Sequence, residues 1–306
     1  MLRRSLLQSI ASGAAAPFHA SAASGKPNVI LIALDQLHAR RLHSYGNPRP
    51  TSPNLDRLGT EGVRLSHFYA ASPWTAPSYA SMHTSQHPSR HGATVFHPPG
   101  VPGLKPDAIT LADLFKKAGY HTAAFVNNSV AGAYLTGQGF DDYDEAQKRP
   151  TNITERSSLG NQEFRAPATN QRIFRWLDEK GKDPFFLFLL YFEPHSPYDP
   201  PPEHDLFKSD AYPAATQTGY DVTTGQLLRK ACLRDAKAIE RLYQLYDGKI
   251  HFIDHYIGQL MDRLRRDGFD QNTIVLLTSD HGELVYQHID DYTTFDHRSL
   301  YETVLH

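Results

Sequence analysis

The run Asn28-Val29-Ile30-Leu31-Ile32-Ala33-Leu34 is apolar at almost every position and ends abruptly on Asp35-Gln36. A strand with one wet face alternates apolar and polar side chains, so an unbroken run marks a strand covered on both faces. Residues 122–126, 185–192 and 272–278 are read as further strands. Helical stretches lie between these strands. Residues 51–62 begin as a turn and become a short amphipathic helix that Gly62 stops. Residues 107–118 place Ile109, Leu111, Leu114 and Phe115 on one side, and Gly119 ends that helix. Residues 170–180 and 235–267 are also helical, the second at length. Residues 127–166 read as a polar surface excursion, 195–202 as a proline-rich loop, and 203–230 as a weakly patterned flap. Strands alternating with helices predict an α/β fold with a mostly parallel sheet. In such a sheet ligands bind beyond the carboxyl ends of the strands. Asp35 ends one strand and Ser279-Asp280-His281-Gly282 follows another, so the fold brings both clusters to one edge.

The length of 306 residues allows one large domain or two small ones, and a hydrophobic share of 40% with 16 Tyr and 16 Phe supplies a sizeable core. A formal net charge of −2 offers no bulk attraction for nucleic acid. Cys232 is the single cysteine, which rules out an internal disulfide or a cysteine metal cluster. Residues 1–24 have the order of an export signal: Arg3-Arg4, a weakly apolar alanine-rich run, then Ala20-Ser21-Ala22-Ala23. The paired arginines suggest the twin-arginine route and a periplasmic or extracellular destination. No later run approaches the roughly 20 apolar residues of a membrane span, so no stable span is expected once the signal is removed. The end, residues 300–306, reads as a helix without a stop signal, and the chain is expected to be a fragment.

Residues 75–92 carry the chemistry. Pro77 suits the first turn of a helix, residues 78–84 read as that helix, and Thr75 falls at the junction, where unpaired N–H groups favour an anion. Thr75 and Ser78 equally suit caps and turn residues. Asp35, Asp280 and His281 together can hold a hard or borderline divalent cation. A hydroxyl beside such a cation loses its proton more easily, so Thr75 can attack phosphorus or sulfur. His195 and His297 can bind an anionic ester or protonate its leaving oxygen. His38, His43, His83 and His87 are expected at the surface.

Seven segments occur in the order in which they stand in the sulfatase family of the alkaline phosphatase superfamily: NVILIALDQ, YGNPRPTSPNLDRLGTEGV, SPWTAPSYASMHTSQHPSRHG, EPHSPYDPP, YDGKIHFIDHYIGQL, LTSDHGE and HRSLYE. The chain resembles that family over nearly all of residues 27–306. The resemblance implies a mixed, largely parallel central sheet between helices, and a smaller C-terminal subdomain that this chain lacks. It implies Asp35, Thr75, Asp280 and His281 as metal ligands, Thr75 as the nucleophile, and His91, His195 and His297 around the anionic group of the substrate. Against the family's Cys/Ser-x-Pro-x-Arg motif stands Thr75-Ala76-Pro77-Ser78-Tyr79. Thr75 carries a methyl on its β-carbon and cannot give the formylglycine aldehyde by the same oxidation, so no formylglycine is expected. Tyr79 replaces the motif arginine, Ser85-Gln86 replace a glycine and a basic residue, and Gln36 replaces a second aspartate.

The set Asp, Thr, Asp, His is similar to that of threonine-dependent phosphotransferases and phosphodiesterases of the superfamily. One divalent ion (Mn, Mg or Ca) is expected. The expectation is an exported metal-dependent hydrolase or transferase of sulfate or phosphate esters, phosphoester chemistry favoured, acting on a small-molecule, glycan or lipid ester. A non-catalytic binding protein on a decayed scaffold and a formylglycine sulfatase with an aberrant motif are the alternatives.

Overall fold

The computed structural model describes residues 25–94, 103–127, 137–145, 165–196, 198–209, 235–285 and 295–296. Five parallel strands form its sheet: β1 (Asn28–Leu34), β2 (His121–Val126), β3 (Asp142–Glu145), β4 (Phe185–Tyr191) and β5 (Thr273–Ser279), in the order β3-β2-β4-β1-β5. A separate antiparallel pair joins β6 (Leu284–Val285) to β7 (Phe295–Asp296).

The apolar runs of β1 and β4 are buried at all positions, because successive side chains face opposite layers. Ile30, Ile32, Leu34, Leu187, Leu189 and Tyr191 pack on one side, against α1 (Pro53–Glu61), α5 (Ala166–Lys180) and α6 (Ala236–Arg266). Val29, Leu31, Ala33, Phe186, Phe188 and Leu190 pack on the other, against α2 (Thr75–Thr84) and α4 (Leu111–Lys117), with the short α3 (Pro88–His91) beside α2. Each such side chain, fully buried, contributes about 1.5–3 kcal/mol. Helix α6 buries Leu242, Tyr246, Ile250, Ile253, Ile257, Leu260 and Leu264, the three-and-four spacing of one helical face. Among the described residues no helix is long and apolar enough to cross a membrane.

Three expectations need correction. The helix expected from residue 107 starts at Leu111, because Thr110 and Asp113 form a reciprocal capping box that fixes the entry there. Its inner face is Ala112 with Leu111 and Phe115, whereas Ile109 and Leu114 are 64% and 55% exposed. Strand β3 falls in the stretch read as irregular. Its sequence, Asp-Tyr-Asp-Glu, has no apolar run, and neighbours hold it: His121, Trp176 and Lys180 bind Asp142, and Arg172 binds Asp144. His38 and His83 are buried rather than at the surface, each 1% exposed, while His43 and His87 are exposed as expected. Residues 1–24, most of the flap and the C-terminal helix expected at 300–306 lie outside the described residues.

Candidate functional site

Register joins the two polar strand ends. Leu34 pairs with Ser279, so the next residues, Asp35 and Asp280, leave the sheet side by side. The Asp35 N–H donates to Tyr191 O at 2.9 Å, tying the same corner to β4. Asp280 Oδ1 accepts from the N–H groups of Gln36 (3.1 Å) and His281 (2.7 Å), which fixes the carboxylate plane.

Gln36 makes this turn with φ 61°, in the left-handed region, at a cost of about 1 kcal/mol for a residue with a side chain. Neighbours hold it there. The buried Tyr246 hydroxyl donates to Gln36 O and accepts from the His38 N–H (2.9 Å), and Gln36 Oε1 accepts from the Ser196 N–H (3.2 Å). Burial pushes the Tyr246 phenol up, so it keeps its proton.

His281 has a defined tautomer. Its Nδ1 lies 2.8 Å from Gly282 O, and a carbonyl only accepts, so Nδ1 carries the hydrogen and Nε2 presents its lone pair. Nε2 sits 3.3 Å from Asp280 Oδ2 and 3.8 Å from Asp35 Oδ1. One ligand atom each from Asp35, Asp280 and His281 falls within 4.8 Å of the other two, with all three residues buried. Two carboxylates converging out of water repel each other, and a divalent cation offsets both charges. Two oxygen donors and an imidazole lone pair held by its own backbone partner fit such an ion.

Thr75 is the first residue of α2 and is 5% exposed. Its Oγ1 is 3.3 Å from His281 Nε2. Ser78 Oγ donates to Asp280 O at 2.6 Å, docking the first turn of α2 onto the segment after β5. Pro77 sits in that turn, where no N–H partner is required. The nucleophile candidate thus stands at a helix N-terminus, the end whose partial positive charge favours anions.

The other predicted residues are placed as follows. His195 is half-buried on the loop after β4, its ring stacked on Phe192 at 4.4 Å, and the adjacent Ser196 N–H binds Gln36. His91 is buried at the end of α3. Its Nδ1 accepts from the Ala93 N–H (3.1 Å), so Nε2 donates to Ser81 Oγ (3.0 Å), and burial lowers its pKa. His91 thus contacts α2 both at Ser81 and at the Pro77 backbone of its first turn. His297 lies outside the described residues. Sequence reasoning missed Tyr246 and the structural part of Gln36. Their only trace is the segment YDGKI and the position after Asp35, neither of which shows contact across the fold.

Comparison with known proteins adds two relatives and one solved structure of like fold. An arylsulfatase of Clostridium perfringens is 29% identical, covering 86% of this chain and 64% of its own length. An arylsulfatase of Hemicentrotus pulcherrimus is 23% identical, covering 84% and 47%. The chain therefore spans about half to two-thirds of the length of these two relatives. The crystal structure of a phosphonate monoester hydrolase of Agrobacterium radiobacter has the same fold, with a TM-score of 0.71, 19% identity, and coverage of 92% of this chain and 67% of that one. The sulfatase family model matches residues 27–303. With that match and the strand-end cluster of Asp35, Asp280 and His281, the chain belongs to the sulfatase family.

Proposed function

We propose that this protein is a metal-dependent hydrolase or transferase of sulfate or phosphate esters, with phosphoester chemistry favoured and Thr75 as the nucleophile. The observation that carries the reading is the Thr75 hydroxyl 3.3 Å from Nε2 of a buried Asp-Asp-His cluster. Asp35, Asp280 and His281, with the Thr75 oxygen, would hold one divalent ion. That ion supplies positive charge that lowers the pKa of the Thr75 hydroxyl and neutralises ester oxygens.

In the reaction, Thr75 Oγ1 gives its proton to solvent and forms a bond to phosphorus or sulfur as the bond to the leaving oxygen breaks, leaving the group on Thr75. His195 and His297 bind the ester oxygens or give the departing alkoxide its proton. Water, or an acceptor alcohol, then attacks the Thr75 ester, releases the group and restores the hydroxyl. His91, bonded to Ser81 of the same helix, stands with His195 and His297 around the anionic group of the substrate. The threonine itself supports phosphoester chemistry, since its hydroxyl acts without conversion to an aldehyde. Export through residues 1–24 completes the reading, with a small-molecule, glycan or lipid ester as substrate.

The test is a panel of aryl sulfate, phosphate monoester and phosphodiester substrates with Mn²⁺, Mg²⁺, Ca²⁺ or chelator. Metal-dependent phosphoester turnover is expected, falling roughly 10³-fold or more in Thr75→Ala and partly kept in Thr75→Ser. Full activity in Thr75→Ala removes the nucleophile assignment. Turnover of sulfate alone overturns the phosphoester preference, and metal uptake without turnover favours a binding protein.

A further inference from the structure

Tyr79 has no part in the chemistry so far. It is completely buried, yet its hydroxyl has no hydrogen-bond partner among the described residues. A buried hydroxyl left unsatisfied costs about 1–3 kcal/mol. A phenylalanine would make the same edge-on contact with Phe188, whose ring centre is 6.1 Å away. Packing therefore accounts for the ring and not for the oxygen.

Position gives the oxygen a direction. Tyr79 lies one helical turn beyond Thr75 on α2, and long side chains on a helix lean toward its N-terminus, over the preceding turn. That lean takes the ring toward the turn that carries Thr75, and the charges of Asp280 and Asp35 act on its phenol. Ser78, between them, ties that turn to Asp280. Burial first, then the charges of Asp280 and Asp35, holds the phenol well above its usual range, so its hydrogen stays in place at physiological pH.

We propose that the Tyr79 hydroxyl donates a hydrogen bond to a peripheral oxygen of a tetrahedral anion, the phosphoryl or sulfuryl group, bound beside Thr75. The inference rests on the reading of the site given above. A bound oxygen satisfies a donor that has no partner among the described residues, and a neutral donor orients the group without adding charge to the cluster.

The experiment compares wild type with Tyr79→Phe by calorimetric titration, first with Mn²⁺ and then with inorganic phosphate or sulfate on the Mn²⁺-loaded protein, beside thermal unfolding. The expected result is about tenfold weaker anion binding in Tyr79→Phe, with Mn²⁺ affinity unchanged and the thermal midpoint unchanged or higher. Unchanged anion affinity overturns the proposal and leaves Tyr79 a core aromatic. Weakened Mn²⁺ binding also overturns it, since the hydroxyl would then serve the carboxylates, and a lowered midpoint means that it serves the fold. A wild-type protein that takes up neither Mn²⁺ nor anion removes the reading of the site itself, and the Tyr79 inference with it.

Discussion

Two sets of buried carboxylates in this molecule are treated differently. Under α6, each is answered by donors of the chain. Asp247 receives Arg41 through Nε at 2.9 Å and Arg49 at 2.8 Å, which clamps the segment after β1 to α6. Asp254 receives the N–H groups of Asn54 (3.0 Å) and Leu55 (2.8 Å) and the Asn54 side-chain amide, so α6 caps the first turn of α1 from outside. The two helices meet so closely that a Cβ on Gly258 would lie 2.6 Å from Asn54 Cγ. At the strand ends, Asp35 and Asp280 instead converge on each other and on the Nε2 of His281. Carboxylates matched by guanidinium or N–H groups fasten elements together. Carboxylates gathered with an imidazole lone pair create a demand for positive charge from outside the chain.

The sharpest way to break this contrast is Asp280→Asn. It should abolish Mn²⁺ uptake and lower metal-dependent turnover roughly 10³-fold or more, while urea unfolding of the metal-free protein stays close to wild type. Retained Mn²⁺ affinity, read by titration calorimetry, would place Asp280 with the fastening carboxylates. Arg41→Ala is the reverse experiment. It leaves Asp247 short of one partner in a buried setting and should cost about 3–5 kcal/mol in urea unfolding without changing Mn²⁺ affinity.

The third experiment is a pH titration of stability. Burial raises the Asp254 carboxyl to about 6, above its ordinary 3.8. The folded state therefore holds the proton more tightly than the unfolded one. That contribution is fully present below about pH 3.8 and is lost as pH rises to about 6, worth about 3 kcal/mol in all. Asp254→Asn should erase this fall, and an unchanged slope between wild type and variant would show that Asp254 does not titrate there.

His83 sharpens the same measurement from the other side. Both its ring nitrogens are buried without a hydrogen-bond partner among the described residues, its ring packs edge-on against Phe188 at 4.5 Å, and burial lowers its pKa to about 4. A depressed pKa gives stability that is present above about pH 6.5 and lost as pH falls toward 4, opposite in sign to Asp254 over a shared window. His83→Leu should raise stability by about 1 kcal/mol at pH 7 and remove that acid-side loss. A lower thermal midpoint for His83→Leu would show that the imidazole has a polar duty in the core.

Much of this architecture is written locally. The unbroken runs of β1 and β4 require cover on both faces, and the spacing along α6 requires one apolar side, so strand and helix identities follow from neighbours in sequence. The segment order that resembles sulfatases also pointed to Asp35, Thr75, Asp280 and His281. Other features have no local signature. Strand β3 is polar and exists because β2, Trp176 and Lys180 hold it. His83 reads as a surface residue because its own chemistry is polar, and only packing under α2 makes it a core side chain.

By itself, then, the sequence determined the parallel sheet with its covered central strands, the polar residues at its strand ends and a threonine at a helix start, because hydrophobic period and turn chemistry act over a few residues. Only the tertiary structure decided which carboxylates fasten elements together and which gather at His281, which tautomer His281 adopts, and that the Tyr79 oxygen has no partner among the described residues. Those facts depend on distances between residues remote in sequence, such as the 3.3 Å from Thr75 to His281, and no local pattern encodes them.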